Sequence, residues 1–196
     1  MRIISGQYGS RIIAMPKGVA IRPTQDKVRE AIFNIIGNVS GKNVLDLFAG
    51  SGAFGIEAIS RGAMKATFVD NNLRCIETIR ANLESLGIPE DKYNIIRGNA
   101  LTVMPRLEKE AERYDIILLD PPYHMEMAKK CLINIDSYDI LTETAMVVAE
   151  HFKKDALGIE LNTIILEKER KYGDTVVTIL RKIDEERENS GISGDV

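Results

Sequence analysis

The stretch "DLFAGSGAFG", residues 46–55, decides the fold. It links a short apolar run, residues 43–48, to a segment with the composition of a helix. A glycine-rich turn between a strand and a helix lets backbone amides approach a nucleotide closely, and GxGxxG is its fingerprint. Asp70 follows the first glycine by twenty residues, where a carboxylate at the end of the next strand meets a ribose diol. The glycines of the motif are Gly50, Gly52 and Gly55.

An acid on the strand before the glycines indicates which nucleotide is bound. Asp46 lies four residues before Gly50, where a dinucleotide-binding strand is usually apolar and the helix N-terminus faces a pyrophosphate. A carboxylate there repels a pyrophosphate but suits the ammonium and sulfonium groups of S-adenosylmethionine. The sequence therefore predicts a methyl-donor site, with the amide of Asn99 at the adenine ring and Phe48 packing the loop.

Outward from this turn, strand-like and helix-like segments alternate, which predicts a doubly wound α/β sheet with its ligand at the carboxyl ends of the strands. "RIISGQYGSRIIAM" predicts an N-terminal hairpin, and two runs joined near Gly173 predict a C-terminal one. The predicted strands are 43–48, 65–70, 93–98, 114–120 and 145–151. The predicted helices run from a Thr24 cap to Ile36, and over 53–61, 72–86, 100–112 and 125–133.

A second motif, "DPPY" (120–123), ends the most apolar strand. Prolines fix φ and lack N–H groups, so the carboxylate of Asp120 and the carbonyl of Pro121 become two acceptors aimed into one cleft. An exocyclic amine has two donors to match them, and bonding both orients its lone pair at a methyl group. Pro122 stiffens the turn, and Tyr123 offers a face on which a flipped base stacks. We expect positioning, not strong base chemistry, to be the catalytic contribution.

Composition is that of an ordinary globular protein: 196 residues, 44% apolar and 28% charged. No apolar run reaches the length of a membrane span, and the N-terminus resembles no signal peptide, so we expect a cytoplasmic protein. Cys75 and Cys131 are widely separated and form no CxxC pair, so no metal site is predicted.

Charge is distributed unevenly along the chain. Residues 1–30 hold six basic and two acidic residues, which is +4 in a chain of net charge −3, so the remainder carries −7. A basic N-terminal face on an acidic body suits phosphates, although charges on a solvated hairpin explain it equally well. We assign residues 1–23 to an RNA-contacting hairpin, 24–182 to the catalytic domain and 183–196 to an acidic, disordered tail.

These motifs resemble the RsmD-like 16S rRNA guanine-N2 methyltransferases in order and spacing over roughly residues 1–182. The resemblance implies a class I S-adenosylmethionine-dependent methyltransferase fold with a seven-stranded, Rossmann-like sheet. It also implies action on bacterial 16S rRNA or a small-subunit assembly intermediate, and we expect a monomer. The stretches that carry it are "RPTQDKVREAIFNII", "VLDLFAGSGAFGIEAISRGA", "FVD", "DPPY", "VVAEH" and "KYGDT".

The resemblance also implies site residues. It places the guanine amine at Asp120, Pro121, Pro122 and Tyr123, and RNA at Arg2, Arg11, Arg22 and Thr24. Two positions depart from the family pattern: Asn99 replaces a common acid, and Tyr123 stands where phenylalanine is also common. The positions that would hold S-adenosylmethionine are Asp46, Phe48, Ala49, Gly50, Gly52, Asp70, Asn71, Asn99 and Ala100.

Three alternatives stay open. DPPY also occurs in adenine-N6 methyltransferases acting on DNA or RNA; an acceptor-only Asp120 favours guanine, which presents adjacent N1–H and N2–H donors. A nicotinamide oxidoreductase would share GxGxxG but leaves DPPY unexplained, and a non-catalytic RNA-binding protein would need only the basic hairpin. His124 and His151 are expected to be surface or structural residues, because methylation of a positioned amine needs no histidine.

Overall fold

A computed structural model describes residues 1–19, 26–122, 126–155 and 157–183. The described residues form five α-helices and seven strands, with a 3-10 turn at Glu90–Lys92 before the third strand. The helices are α1 (Asp26–Ile36), α2 (Ala53–Ser60), α3 (Leu73–Leu86), α4 (Met104–Lys109) and α5 (Met127–Ser137). The strands are β1 (Asn43–Asp46), β2 (Lys65–Asp70), β3 (Tyr93–Arg97), β4 (Tyr114–Leu119), β5 (Leu141–Phe152), β6 (Ile164–Tyr172) and β7 (Thr175–Lys182).

Within this part of the chain the strands form one sheet in the order β3-β2-β1-β4-β5-β7-β6. The first five strands in that order are parallel, and β7 pairs antiparallel with both β5 and β6. The strand order reverses between β1 and β4, so their carboxyl ends open the crevice in which doubly wound proteins bind ligands. This confirms the predicted α/β sheet.

Two hydrophobic layers cover the sheet. Val44, Ile116 and Leu118 join the layer built with α1, α2 and α3, whereas their neighbours Leu45 and Ile117 join the layer of α4 and α5. Successive strand residues point to opposite faces, so a strand covered on both sides must be apolar throughout. This explains the continuous run in β4, where five of the six residues are buried.

The N-terminal residues fold back on themselves, but regular pairing is confined to one antiparallel bridge between Arg2 and Ile12. Some of the intervening amides bond to α2: Ile4 and Ser5 donate to the Glu57 carboxylate at 2.7 and 3.1 Å. Ile3, Tyr8 and Ile13 are buried in the α1–α3 layer, so the predicted hairpin shares the core of the domain.

The first predicted domain boundary, 23/24, lies within residues 20–25, which the structure does not describe. The second, 182/183, falls at the end of β7, and residues 184–196 of the predicted tail lie outside the described residues. The division into a hairpin, a catalytic domain and a tail stays a prediction. No helix in the described ranges is both long and apolar enough to cross a membrane. Cys75 and Cys131 are free thiols, and burial raises the pKa of each to about 12.

Candidate active site

The turn between β1 and α2 has the backbone that its glycines allow. Gly50 and Gly52 have φ of 54° and 82°, in the left-handed region that favours glycine. The amide of Gly50 donates to Oδ2 of Asp70 at 2.9 Å. Asp70, the predicted acid on β2, therefore holds the turn in place, and it lies at the open side of that turn.

The third glycine of the motif packs the helix on the sheet. A Cβ added to Gly55 would lie 2.2 Å from the ring of Phe68 on β2. Only a residue without a side chain lets α2 approach that strand so closely, which is the role that the third glycine has in this fingerprint. Its amide also donates to Oδ2 of Asp46 at 3.1 Å.

Asp46 lies beneath the turn and is 1% exposed. Burial raises the pKa of its carboxyl to about 7; the Gly55 and Phe48 amides oppose this shift, and the Asp70 charge adds to it. The group is thus poised between its neutral and charged forms at neutral pH. A cation above the turn would favour the charged form.

The carboxylate of Asp70 is half-buried at the end of β2. Its oxygens accept from the amides of Gly50 and, at 2.8 Å, Asn72. Each carboxylate oxygen has a second lone pair, so two hydroxyl groups of a ribose can still be accepted. Asn71, predicted to contact the cofactor, is exposed directly after Asp70.

The remaining predicted cofactor residues surround the same crevice. Asn99 is exposed after β3, and its Oδ1 accepts from the Leu101 amide at 2.8 Å, which leaves its NH2 group to donate to a ligand. Ala49 and Ala100 are buried, and Phe48 is half-buried against the α4–α5 layer. The structure thus brings these predicted positions to one edge of the sheet.

The second predicted motif lies at the adjoining strand end. Asp120 follows β4 and is half-buried, Pro121 is buried and Pro122 is exposed. Leu119 pairs with Ala149, so the next residues, Asp120 and buried Glu150, stand side by side. Tyr123 lies outside the described residues.

The glycine turn and this acid occupy neighbouring strand ends, those of β1 and β4.

Comparisons with known proteins identify the family of the chain. The family model described as "Conserved hypothetical protein 95" matches residues 1–181. A relative from Bacillus subtilis (strain 168), named "Putative rRNA methyltransferase YlbH", is 38% identical over 183 residues, 93% of this chain and 99% of the relative. "Ribosomal RNA small subunit methyltransferase D" of Buchnera aphidicola subsp. Acyrthosiphon pisum (strain APS) is 32% identical over 169 residues, 85% of each chain. The chain belongs to the RsmD-like family.

A solved structure confirms the RsmD-like fold. It is described as "Putative methyltransferase yhhF from Escherichia coli" and superposes with a TM-score of 0.81 at 25% identity. The similarity covers 94% of this chain and 99% of that one. The fold is that of a class I S-adenosylmethionine-dependent methyltransferase.

The RsmD-like site also depends on residues that the sequence did not reveal. Asn82 on α3 is 2% exposed and donates to the Ser51 carbonyl in the glycine turn at 2.9 Å. The same side chain accepts from the amide of Ala14 at 2.8 Å and donates to its carbonyl at 3.0 Å. Asn82 therefore joins the turn to the N-terminal segment. Glu57 forms a comparable buried contact, and an acid within the otherwise apolar helix "AFGIEAIS" is a pattern from which it could have been predicted.

The basic residues predicted to face RNA lie in different settings. Arg2 is exposed, and Arg11 donates to the carbonyls of Ser85 and Leu86, at 3.1 and 3.4 Å, at the end of α3. Arg22 and Thr24, with the predicted helix cap, lie outside the described residues, as does His124. His151 is buried, and its Nε2 lies 2.9 Å from the Thr178 hydroxyl, in keeping with a structural residue.

Proposed function

We propose that the protein transfers a methyl group from S-adenosylmethionine to the exocyclic N2 amine of a guanine in bacterial 16S rRNA. The observation that carries the proposal is the position of Asp120 and Pro121 at the end of β4, beside the glycine turn at the end of β1. An acceptor pair for an amine and a turn for a nucleoside cofactor then share one crevice.

The residues on the β1–β2 side fit the methyl donor. Asp70 retains lone pairs for the ribose hydroxyls, and Asn99 retains its NH2 group for the adenine. Asp46, when ionised, favours a positively charged ligand, and a pyrophosphate carries no positive charge. S-adenosylmethionine supplies a methyl group activated on a sulfonium centre.

The residues on the β4 side would position the acceptor. The Asp120 carboxylate and the Pro121 carbonyl accept the two N–H bonds of the amine, which holds its lone pair toward the methyl group. Asp120 would then accept the proton that the nitrogen loses as its bond to the methyl carbon forms, while the carbon–sulfur bond breaks and S-adenosylhomocysteine is left. Because a carboxylate offers acceptors alone, it matches the N1–H and N2–H donors of guanine better than the N1 acceptor of adenine.

Transfer of a labelled methyl group tests the proposal. S-adenosylmethionine is incubated with naked 16S rRNA and with small-subunit particles, and the modified nucleosides are identified. We expect N2-methylguanine, and the better substrate of the two shows how much assembly is required. N6-methyladenine would replace the guanine assignment with the adenine one, and no transfer despite bound cofactor would contradict an rRNA acceptor.

A further inference from the structure

A second cleft adjoins the proline pair. It has a volume of about 240 Å³ and lies between the start of α5 and the segment that follows β5. Pro121 and Pro122 form one wall, but Asp120 is not among the described residues that line it. We call it the flanking cleft, because it shares the two prolines, but not the carboxylate, with the site assigned to the guanine amine.

Two lysines give the flanking cleft its positive charge. Lys129 on α5 is half-buried and Lys154, after β5, is exposed. In the described part of the chain neither ammonium group forms an ion pair, whereas neighbouring Lys153 pairs with Asp174 at 2.7 Å. Ammonium groups without a carboxylate partner are suited to bind the phosphates of a nucleic acid.

The rest of the lining excludes a bare phosphate as the best ligand. The side chains of Glu126 and Asp155 also line the flanking cleft, and carboxylates would repel an isolated anion. They match the N–H donors of a nucleobase, and Met127 and Leu157 add apolar surface for its ring. Donors, acceptors and apolar surface together describe a nucleotide.

A rigid wall supports this site. His151 is 5% exposed and lines the flanking cleft. Its ring nitrogens lie 3.1 Å from the Phe152 carbonyl and 2.9 Å from the Thr178 hydroxyl, so the ring is held in place. A wall of fixed side chains next to the catalytic turn lets a bound neighbour set the position of the target base.

We propose that the flanking cleft binds the nucleotide next to the target guanine, with Lys129 and Lys154 on its phosphate. The inference rests on the proposed function, because it takes the guanine amine to lie at Asp120. The enzyme then reads two consecutive unpaired nucleotides, one at Asp120 and one in the flanking cleft.

Binding of a short single-stranded RNA with one central guanine tests the proposal. Its fluorescence anisotropy is followed from about 50 to 200 mM salt for the wild type, the double variant K129A/K154A and the control K92A/K109A. Lys92 precedes β3, and Lys109 ends the helix that leads into β4. The control therefore removes two charges near the amino ends of the strands, at the opposite end of the sheet from the crevice. Because both lysines contact one phosphate, we expect the double variant to lower the salt slope by about 0.7 and to weaken binding about tenfold at fixed salt.

A second RNA tests whether the base of the neighbouring nucleotide lies in the flanking cleft. The nucleotide on one side of the guanine is made abasic, and we expect wild-type affinity to fall for one of the two flanking positions. In K129A/K154A the same change should cost less, because base and phosphate occupy one cleft. A double variant that matches the control in slope and affinity, or equal abasic losses in both proteins, would overturn the proposal.

Methyl transfer separates this proposal from the proposed function. If the wild type forms N2-methylguanine and K129A/K154A behaves as the control, the flanking cleft is wrong and the function stands. If the double variant lowers the salt slope but no rRNA is methylated, the cleft stands as a nucleotide site and the acceptor is another RNA.

Discussion

On the β1–β2 side of the crevice the side chains that support the glycine turn are buried and bonded to its backbone, whereas on the β4–β5 side Asp120, Lys129 and Lys154 are half-buried or exposed. Asp46 and Asn82 are 1% and 2% exposed, and both bond to the backbone around the glycine turn. Pro122 and Lys154, in contrast, are exposed. Under the proposed function, folding shapes the cofactor half, and RNA would complete the acceptor half. Substitutions should therefore affect stability in the first half and catalysis in the second.

Asp120→Ala is expected to give the largest difference between the effect on catalysis and the effect on cofactor binding. Loss of the carboxylate removes one of two acceptors that orient the amine, so kcat should fall by about 10³-fold. Affinity for S-adenosylhomocysteine should stay within about threefold, because the variant leaves the β1–β2 side unchanged. Single-turnover methyl transfer and calorimetric titration measure the two quantities.

Glu143→Ala is the control, since it removes an exposed carboxylate from β5 near the amino end of the strand, away from the crevice. It should retain most of kcat. If Asp120→Ala is as active as this control, Asp120 is not a catalytic residue. The two halves of the crevice would then not differ in the way proposed.

The next effect is on stability, in the cofactor half. Gly55→Ala places a Cβ 2.2 Å from the buried ring of Phe68, and neither the helix nor the strand can move without disturbing the core. We expect unfolding free energy to fall by about 3 kcal/mol, as for overpacked cores. Denaturation in urea measures this.

Gly98→Ala controls for the loss of a glycine at the same edge of the sheet. Its Cβ would meet only Ile96, at 3.6 Å, which is ordinary contact. The control should differ from the wild type by less than about 1 kcal/mol. Equal stability of the two variants would mean that α2 is not packed on β2 as tightly as the third glycine implies.

The strands of this fold could be predicted from the sequence because each has its own pattern. β2 has the predicted bounds, 65–70, since polar turns enclose a short apolar run. Predicted helix 100–112 is shorter, at Met104–Lys109, because Asn99 bonds the following turn and Ala111 has a φ of 54°. The amides of Ala111 and Glu112 bond to the carbonyls of Glu108 and Leu107, at 2.9 and 3.0 Å, and this local motif ends the helix with a left-handed residue. Glycine is usual at that position, so an alanine there gives no signal in the sequence.

Asn82→Ala tests the link between the turn and the N-terminal segment. The substitution removes three hydrogen bonds and leaves the buried Ser51 carbonyl without its donor. We expect a loss of about 2 kcal/mol in unfolding free energy, together with severalfold weaker binding of S-adenosylhomocysteine. Asn134→Ala is the control: it removes one bond, to the Leu101 carbonyl, and should cost about 1 kcal/mol. Equal losses would assign Asn82 no special role.

The predicted cofactor residues could be found from their spacing in the sequence, whereas Asn82 could not. Asp46, Gly50 and Asp70 follow one another at spacings that the strand–turn–helix geometry itself imposes. Asn82 instead bonds Ala14, 68 residues away, and a single polar residue on an amphipathic helix predicts exposure. The sequence thus predicts groups that are arranged along adjacent elements, but not a bridge between distant segments.

The effect that is sharpest in sign is expected for Asp46→Asn. Burial holds the pKa of Asp46 near 7, above its usual 3.8, so the folded protein binds more protons than the unfolded chain between those values. Stability of the ligand-free protein should therefore decline as pH rises from about 4 to about 7, and be level above. Asparagine keeps an oxygen for the Gly55 amide and carries no charge, so the variant should lack this decline.

Binding should show the opposite dependence. Because a cation favours ionised Asp46, wild-type affinity for S-adenosylmethionine should rise as pH passes through about 7. The variant should be level across this range and about tenfold weaker at pH values above the pKa of Asp46. Isothermal titration of both proteins, over a pH series in one buffer system, measures the difference. Identical curves would mean that Asp46 supports the turn through its bond to Gly55 alone, and that its charge plays no part in choosing a cationic cofactor.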